Sequence, residues 1–199
     1  MVLPYRILSS SAQSRPPQTG RFSGDRIAGS MGPISLSTSV DASREEVFDF
    51  IADLSIRPAW TDHFVGDYRL ERIPPAGVGA AARFRVDAPA GLTYMETVIA
   101  EAGRPHKIVE HGRGGRWDRI PIHTTWELTE QSGVTTVELH FWTRPDNPVD
   151  RVRELGRSRW WRRRWSKALR RMRELIESGA EDVPRASVAG ADRVPASVH

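Results

Sequence analysis

Apolar and polar positions change period along the chain. The stretch "ISLSTSV" at 34–40 sets Ile34, Leu36, Thr38 and Val40 against serines, the period of two that a half-buried strand requires. The spacing then becomes helical. Ser43 with Glu46 three residues later makes a capping box, and Val47, Phe48, Phe50, Ile51 and Leu54 form an apolar side. Pro58 forces a break or a new first turn. The segment "SREEVFDFIADLSIRPAWTDH" therefore reads as two short helices meeting at a corner, suited to lie as a lid over an apolar cavity.

Period two returns in six segments, each ended by turn residues: about 66–73, 79–87, 92–101, 106–111, 119–130 and 134–143. They predict an antiparallel meander. With Gln131, Ser132 and Gly133 as the last turn, Ile122, Thr124, Trp126 and Leu128 share a face with Thr135, Val137, Leu139 and Phe141. The opposite face carries His123, Thr125, Glu127, Glu138 and His140, so the sheet is covered on one side only.

The chain then turns helical for good. At about 100° per residue, Trp161, Trp165, Ala168, Leu169, Met172, Leu175 and Ile176 fall within an arc of roughly 120°, a buried stripe. Val152 and Leu155 lie on the other side of that wheel, which predicts a break at Gly156 and a main helix from Ser158 to Ser178 of roughly 30 Å.

Composition narrows the function classes. At 199 residues and 39% hydrophobic, the chain suits one core with tails. Residues 1–30, rich in Ser, Gly, Pro and Arg, read as a disordered leader with Met31 as an alternative start, and 179–199 as a loose tail. Cysteine is absent, which excludes disulfides, thiolate metal sites and cysteine nucleophiles. No apolar run approaches the roughly 20 residues of a membrane span, and a cytoplasmic location is expected.

The net charge of +4 is concentrated: residues 157–178 hold nine Arg/Lys against two Glu, so the remainder is net negative. "RSRWWRRRWSKALRR" mixes arginine with tryptophan, a pattern of anionic membrane or nucleic-acid surfaces. Trp161 and Trp165 are already explained by the buried stripe, which leaves Trp160 as a candidate exposed anchor and Arg163, Lys167 and Arg170 as the cations of a weak anionic contact, a solvated basic face being the favoured competing reading.

The strand opening with "VDASREEVFDFIADLSIRPAW", the "GVGAAARF" stretch at 77–84, "GRPHKIVEH" and "TTWELTEQSGVTTVELHFW", in this order and spacing, resemble the START-like SRPBCC superfamily, in particular its polyketide cyclase/dehydrase and lipid-transport branch, over 34–178. The resemblance implies an α+β helix-grip fold: a curled antiparallel sheet wrapped around a long C-terminal helix, with two short helices after the first strand. It further implies a cavity between sheet and helix for a lipid or polyketide-like molecule, without cofactor or metal, and in some members ring closure or dehydration. Such folds support a pocket more firmly than a reaction.

On that fold Trp60, Phe64, Phe84, Val98, Trp126, Leu139, Phe141, Trp161, Trp165 and Leu169 are candidates for contact with an apolar ligand, core packing being the competing reading. Glu96 is the candidate acid or base and Tyr94 a donor to a ligand carbonyl, if Tyr94, Glu96 and Val98 point inward; the strand also allows Met95, Thr97 and Ile99 to take that face. His123 and His140 lack a third ligand or H-E-x-x-H spacing, and no nucleophile elbow, P-loop or dinucleotide fingerprint occurs. "GRGGR" at 112–116 reads as a flexible turn. Three functions follow: a carrier of an apolar or amphipathic molecule, a cyclase/dehydrase-type enzyme, or an adaptor for anionic surfaces.

Overall fold

The computed structural model describes residues 33–89, 91–115, 118–180, 183–188 and 190–191. The expected leader lies outside the described residues. Strand β1 (Ile34–Val40) leads into α1 (Arg44–Ala52), where the Ser43 hydroxyl accepts from the Glu46 N–H at 3.3 Å. Helix α2 (Arg57–Thr61) begins on Arg57 and Pro58, a position where proline's missing N–H is no loss. Six strands follow: β2 (Val65–Leu70), β3 (Ala81–Ala88), β4 (Gly91–Gly103), β5 (Lys107–Gly114), β6 (Ile120–Gln131) and β7 (Val134–Thr143).

The seven strands form one antiparallel sheet in the order β1-β7-β6-β5-β4-β3-β2, the meander expected from the turns with β1 closing on β7. Ser132 and Gly133, both at positive φ, make a two-residue hairpin turn that pairs Leu128 with Val137 and Trp126 with Leu139. Those side chains are buried, while His123 and His140 lie on the outer face. The sheet curls around α3 (Pro148–Glu177), whose Trp161, Trp165, Ala168, Leu169, Met172 and Ile176 are buried against it.

Helix α3 is continuous for 30 residues, without the expected break at Gly156. Asn147 caps it by accepting from the Val149 N–H at 2.9 Å, and the buried stripe continues toward the N-terminus through acids rather than apolar residues. Asp150 and Glu154 occupy those inner positions, while Val152 is left exposed. Apolar periodicity could not show this, because ion pairs with Arg119 and Arg157 make the buried acids tolerable.

Two further segments differ from expectation. Gly112 and Gly114 belong to β5, because a side chain at Gly112 would put its Cβ 2.2 Å from the Glu96 carbonyl; the glycine admits the close approach of β4 and β5. Part of the expected C-terminal tail pairs as β8 (Ala186–Ser187) and β9 (Gly190–Ala191), with Ala186 buried and donating its N–H to the Ser55 carbonyl at 2.8 Å.

Candidate ligand-binding site

The strongest polar feature of the interior was not anticipated. Inward positions alternate along β5, so Glu110 falls in phase with buried Ile108 and is carried into the core at 3% exposure. Arg57, the first residue of α2, enters from the opposite side at 6% exposure. Its Nη2 donates to Glu110 Oε1 at 2.7 Å and its Nη1 to Oε2 at 3.3 Å. The Trp126 indole N–H adds 2.8 Å to Oε1 and the Thr97 hydroxyl 3.1 Å to Oε2.

The arginine is held equally firmly. Nη2 also donates to the Ile51 carbonyl at 3.1 Å, and the guanidinium lies 5.0 Å from the ring centre of Trp60 and 5.3 Å from that of Trp126. Burial works against its charge, but the adjoining carboxylate more than offsets that and keeps its pKa above the ordinary value. The pair locks the first turn of α2 onto β5. An inward-phase glutamate in "HKIVEH" and an arginine before the proline of "IRPAW" were the signals available in the sequence; neither names its partner.

Beside the ion pair a cavity opens between the sheet and α3. Its walls include Phe64, Tyr68, Phe84, Met95, Ile122, Phe141, Trp161 and Trp165, with Arg57, Thr61, Thr97 and Glu110 at the polar end. The space open to the centres of water-sized molecules is about 30 Å³. One water needs roughly 10–15 Å³ by that measure, so the cavity in this conformation has room for about two or three. Tyr68 is buried and stacked on Phe84 with ring centres 5.5 Å apart, and desolvation pushes its hydroxyl above the usual phenol range, so it stays protonated and can donate.

A second, smaller cavity shares Met95, Ile122 and Trp161 with the first. At its far wall Glu154 accepts from Arg157 at 2.9 Å and from the Thr143 hydroxyl at 3.1 Å, and Arg157 also donates to the Pro89 carbonyl. Among the described residues, these two chambers adjoin through the shared Met95, Ile122 and Trp161.

The expected site residues divide into three groups. Phe64, Phe84, Phe141, Trp161 and Trp165 line the first cavity. Trp60, Trp126, Leu139 and Leu169 are buried behind that wall; Trp60 packs edge-on to Trp126 at 6.0 Å and against Trp165 at 6.5 Å. Tyr94, Glu96 and Val98 take the other face of β4, because Met95, Thr97 and Ile99 are the buried side chains there. Tyr94 is 51% exposed, and Glu96, although it borders the cavity, stands opposite Arg83 and Arg113 on the neighbouring strands. Their inward placement is corrected: the buried acid is Glu110 and the buried phenol Tyr68.

Residues 31–177 match the family described as polyketide cyclase / dehydrase and lipid transport. The chain belongs to this family. Its fold is shared by a START superfamily protein from Mycobacterium smegmatis (TM-score 0.56, 15% identity, covering 75% of this chain and 100% of that one). A protein from Thermus thermophilus (0.57, 13%, 75% and 99%) and the ginseng major latex-like protein 151 from Panax ginseng (0.52, 10%, 76% and 97%) share it too. No curated protein matches the sequence. These neighbours carry the helix-grip architecture and, at such identities, nothing about the residues in the cavity.

Outside the cavity, Arg163, Lys167 and Arg170 are exposed on α3, whereas Trp160 is partly buried against Phe64 and Trp161 rather than standing free as an anchor. On the outer sheet face His123 stacks on Trp142 at 5.1 Å and meets His111 edge-on at 4.9 Å, while His140 shares a 2.9 Å hydrogen bond with Ser35. Ligand atoms of Glu127, Glu138 and His140 lie within 4.8 Å of one another, but these are surface groups of a sheet face, and Glu127 and Glu138 are directly opposed like charges. Among the described residues no helix is long and apolar enough to cross a membrane.

Proposed function

We propose that this family member binds and carries a small apolar or amphipathic molecule, lipid-like or polyketide-like, between the curled sheet and α3. The observation that carries this reading is the aromatic cavity bounded by Phe64, Phe84, Phe141, Trp161 and Trp165 with one anchored polar end. Its small volume means that a ligand enters by displacing side chains. The five-residue α2 and the bulged edge strand β2, where the register shifts between Gly66 and Arg69, border the cavity and are the elements suited to give way.

Catalysis has less support than carriage. Both Glu110 oxygens are occupied by donors, Tyr94 and Glu96 stand on the other face of β4, and Tyr68 is held protonated. Of the two carboxylates bordering the cavity, Glu110 is fully engaged and Glu96 stands opposite Arg83 and Arg113, with Met95 and Thr97 taking the inward positions of its strand. A cytoplasmic location belongs to the same proposal, in keeping with a cysteine-free chain. The exposed Arg163, Lys167 and Arg170 favour one accessory contact, with an anionic surface, whose affinity must fall as salt rises.

Native mass spectrometry of the full chain, followed by organic extraction, tests the reading. A bound apolar molecule at one per chain is expected. An empty protein that also binds none of a panel of fatty acids, sterols and aromatic ketones overturns it.

A further inference from the structure

The polar atoms around the cavity are unequally matched. Both Glu110 oxygens accept, the Thr97 hydroxyl donates to Glu110, and the Thr61 hydroxyl donates to the Arg57 carbonyl at 2.8 Å. Among the described residues, the fully buried side-chain atoms of the cavity wall without a partner are Tyr68 Oη, Arg57 Nε, Trp161 Nε1 and Trp165 Nε1. Each is an N–H or O–H donor, and buried donors left unmade are costly. The two indoles stand T-shaped to Phe64, at 6.2 and 5.5 Å between ring centres. The Arg57 guanidinium lies against the rings of Trp60 and Trp126, whereas Tyr68 is stacked parallel on Phe84 and its hydroxyl meets no acceptor.

Charge narrows the class further. Arg57 and Glu110 cancel within a 2.7 Å pair, so a carboxylate entering the cavity would bring a negative charge with no counter-ion of its own. An alcohol would need an acceptor for its proton; Glu110 already accepts four hydrogen bonds, and Glu96, the other carboxylate bordering the cavity, lies on the opposite phase of β4 between Arg83 and Arg113. A carbonyl oxygen accepts without donating and carries no net charge. The flat wall formed by Tyr68 stacked on Phe84 at an interplanar angle of 12° suits a planar ring beside it.

We infer, resting on the carrier reading above, that the ligand is a neutral ring-bearing ketone, quinone or ester whose carbonyl oxygen accepts from the Tyr68 hydroxyl. Arg57 Nε is the second donor within the same wall, and the arginine's remaining nitrogens are kept out of play by Glu110 and Ile51.

The test is equilibrium dialysis of the full chain against 2-acetylnaphthalene and 2-isopropenylnaphthalene, which differ only in C=O against C=CH2. The ketone should bind about tenfold more tightly, the effect of satisfying one buried donor. In Tyr68→Phe the hydrocarbon affinity should be retained, which also reports an intact cavity, and the ratio should fall to about twofold or less. Equal wild-type affinities overturn the inference and leave the carrier reading standing. A wild-type preference that survives in Tyr68→Phe overturns Tyr68 as the donor. No binding of either probe, in a protein that extraction also finds empty, removes both readings.

Discussion

Replacing Glu110 by glutamine keeps the shape of the side chain and removes the charge on which the interior pairing depends. Two of the four donors to the carboxylate would then face the amide NH2, and the Arg57 guanidinium, 6% exposed, would lose its counter-ion. Breaking one side of a buried pair costs about 3–5 kcal/mol. For a domain of this size that corresponds to a Tm lowered by roughly 6–20 °C. The assay is urea unfolding followed by far-UV circular dichroism, with the midpoint compared at unchanged slope. The double variant Arg57→Met with Glu110→Leu should be within about 2 kcal/mol of the wild type or more stable, because an apolar pair avoids the desolvation of both charges. A Glu110→Gln loss below about 1 kcal/mol, or a double variant worse than the single, would refute the account of α2 as pinned by this pair.

Other expectations follow from the same structure. The pKa values of His63 and His123 are both lowered, chiefly by desolvation; Lys167 and Arg171 add to this at His63, and His111 and Arg144 at His123. Each stays neutral in the fold below the pH at which it protonates in the unfolded chain, so stability is fully present above about pH 6.5 and falls as pH drops from there through the folded values. Unfolding midpoints at pH 7.5 and 5.5 should show this slope, and a His63→Gln, His123→Gln double variant should flatten it. Gly112→Ala should cost about 2–3 kcal/mol or prevent folding, since its Cβ meets the backbone of β4; a thermal melt within about 2 °C of the wild type would contradict the strand geometry. Arg104→Ala, which removes an exposed pair with Asp49 at 2.8 Å, should change stability by less than about 1 kcal/mol. A chain ended at Ser178 should lose about 1–2 kcal/mol, for burial of Ala186 and Val183 and for the bond from Ala186 to Ser55; an unchanged midpoint would mean that this segment adds nothing.

Local chemistry was sufficient for most of the architecture. The Ser43 cap, Pro58 at the start of α2, the Ser132–Gly133 turn and the phase of β6 against β7 are each written within a few residues, because period and turn type depend on near neighbours. The tryptophan stripe of α3 was legible for the same reason, which nominated Trp161 and Trp165, and the phase of β7 nominated Phe141; Phe64 and Phe84 were nominated only on the fold that the family resemblance implies. Where phase was ambiguous, as on β4, local pattern gave two answers: both Tyr94, Glu96, Val98 and Met95, Thr97, Ile99 alternate, and only the packing of the folded sheet selects the second set.

What only the tertiary structure decided is which charges enter the core. Arg57 and Glu110 stand 53 positions apart, a separation that no helical or strand period relates, and burying either alone would be prohibitive. The same holds for Asp150 and Glu154, whose partners Arg119 and Arg157 turn an apparently misplaced polar stretch into the inner face of a continuous helix. Apolar side chains state their preference for the interior independently of their neighbours; a buried charge is tolerable only beside a partner, and that partner is supplied by the fold.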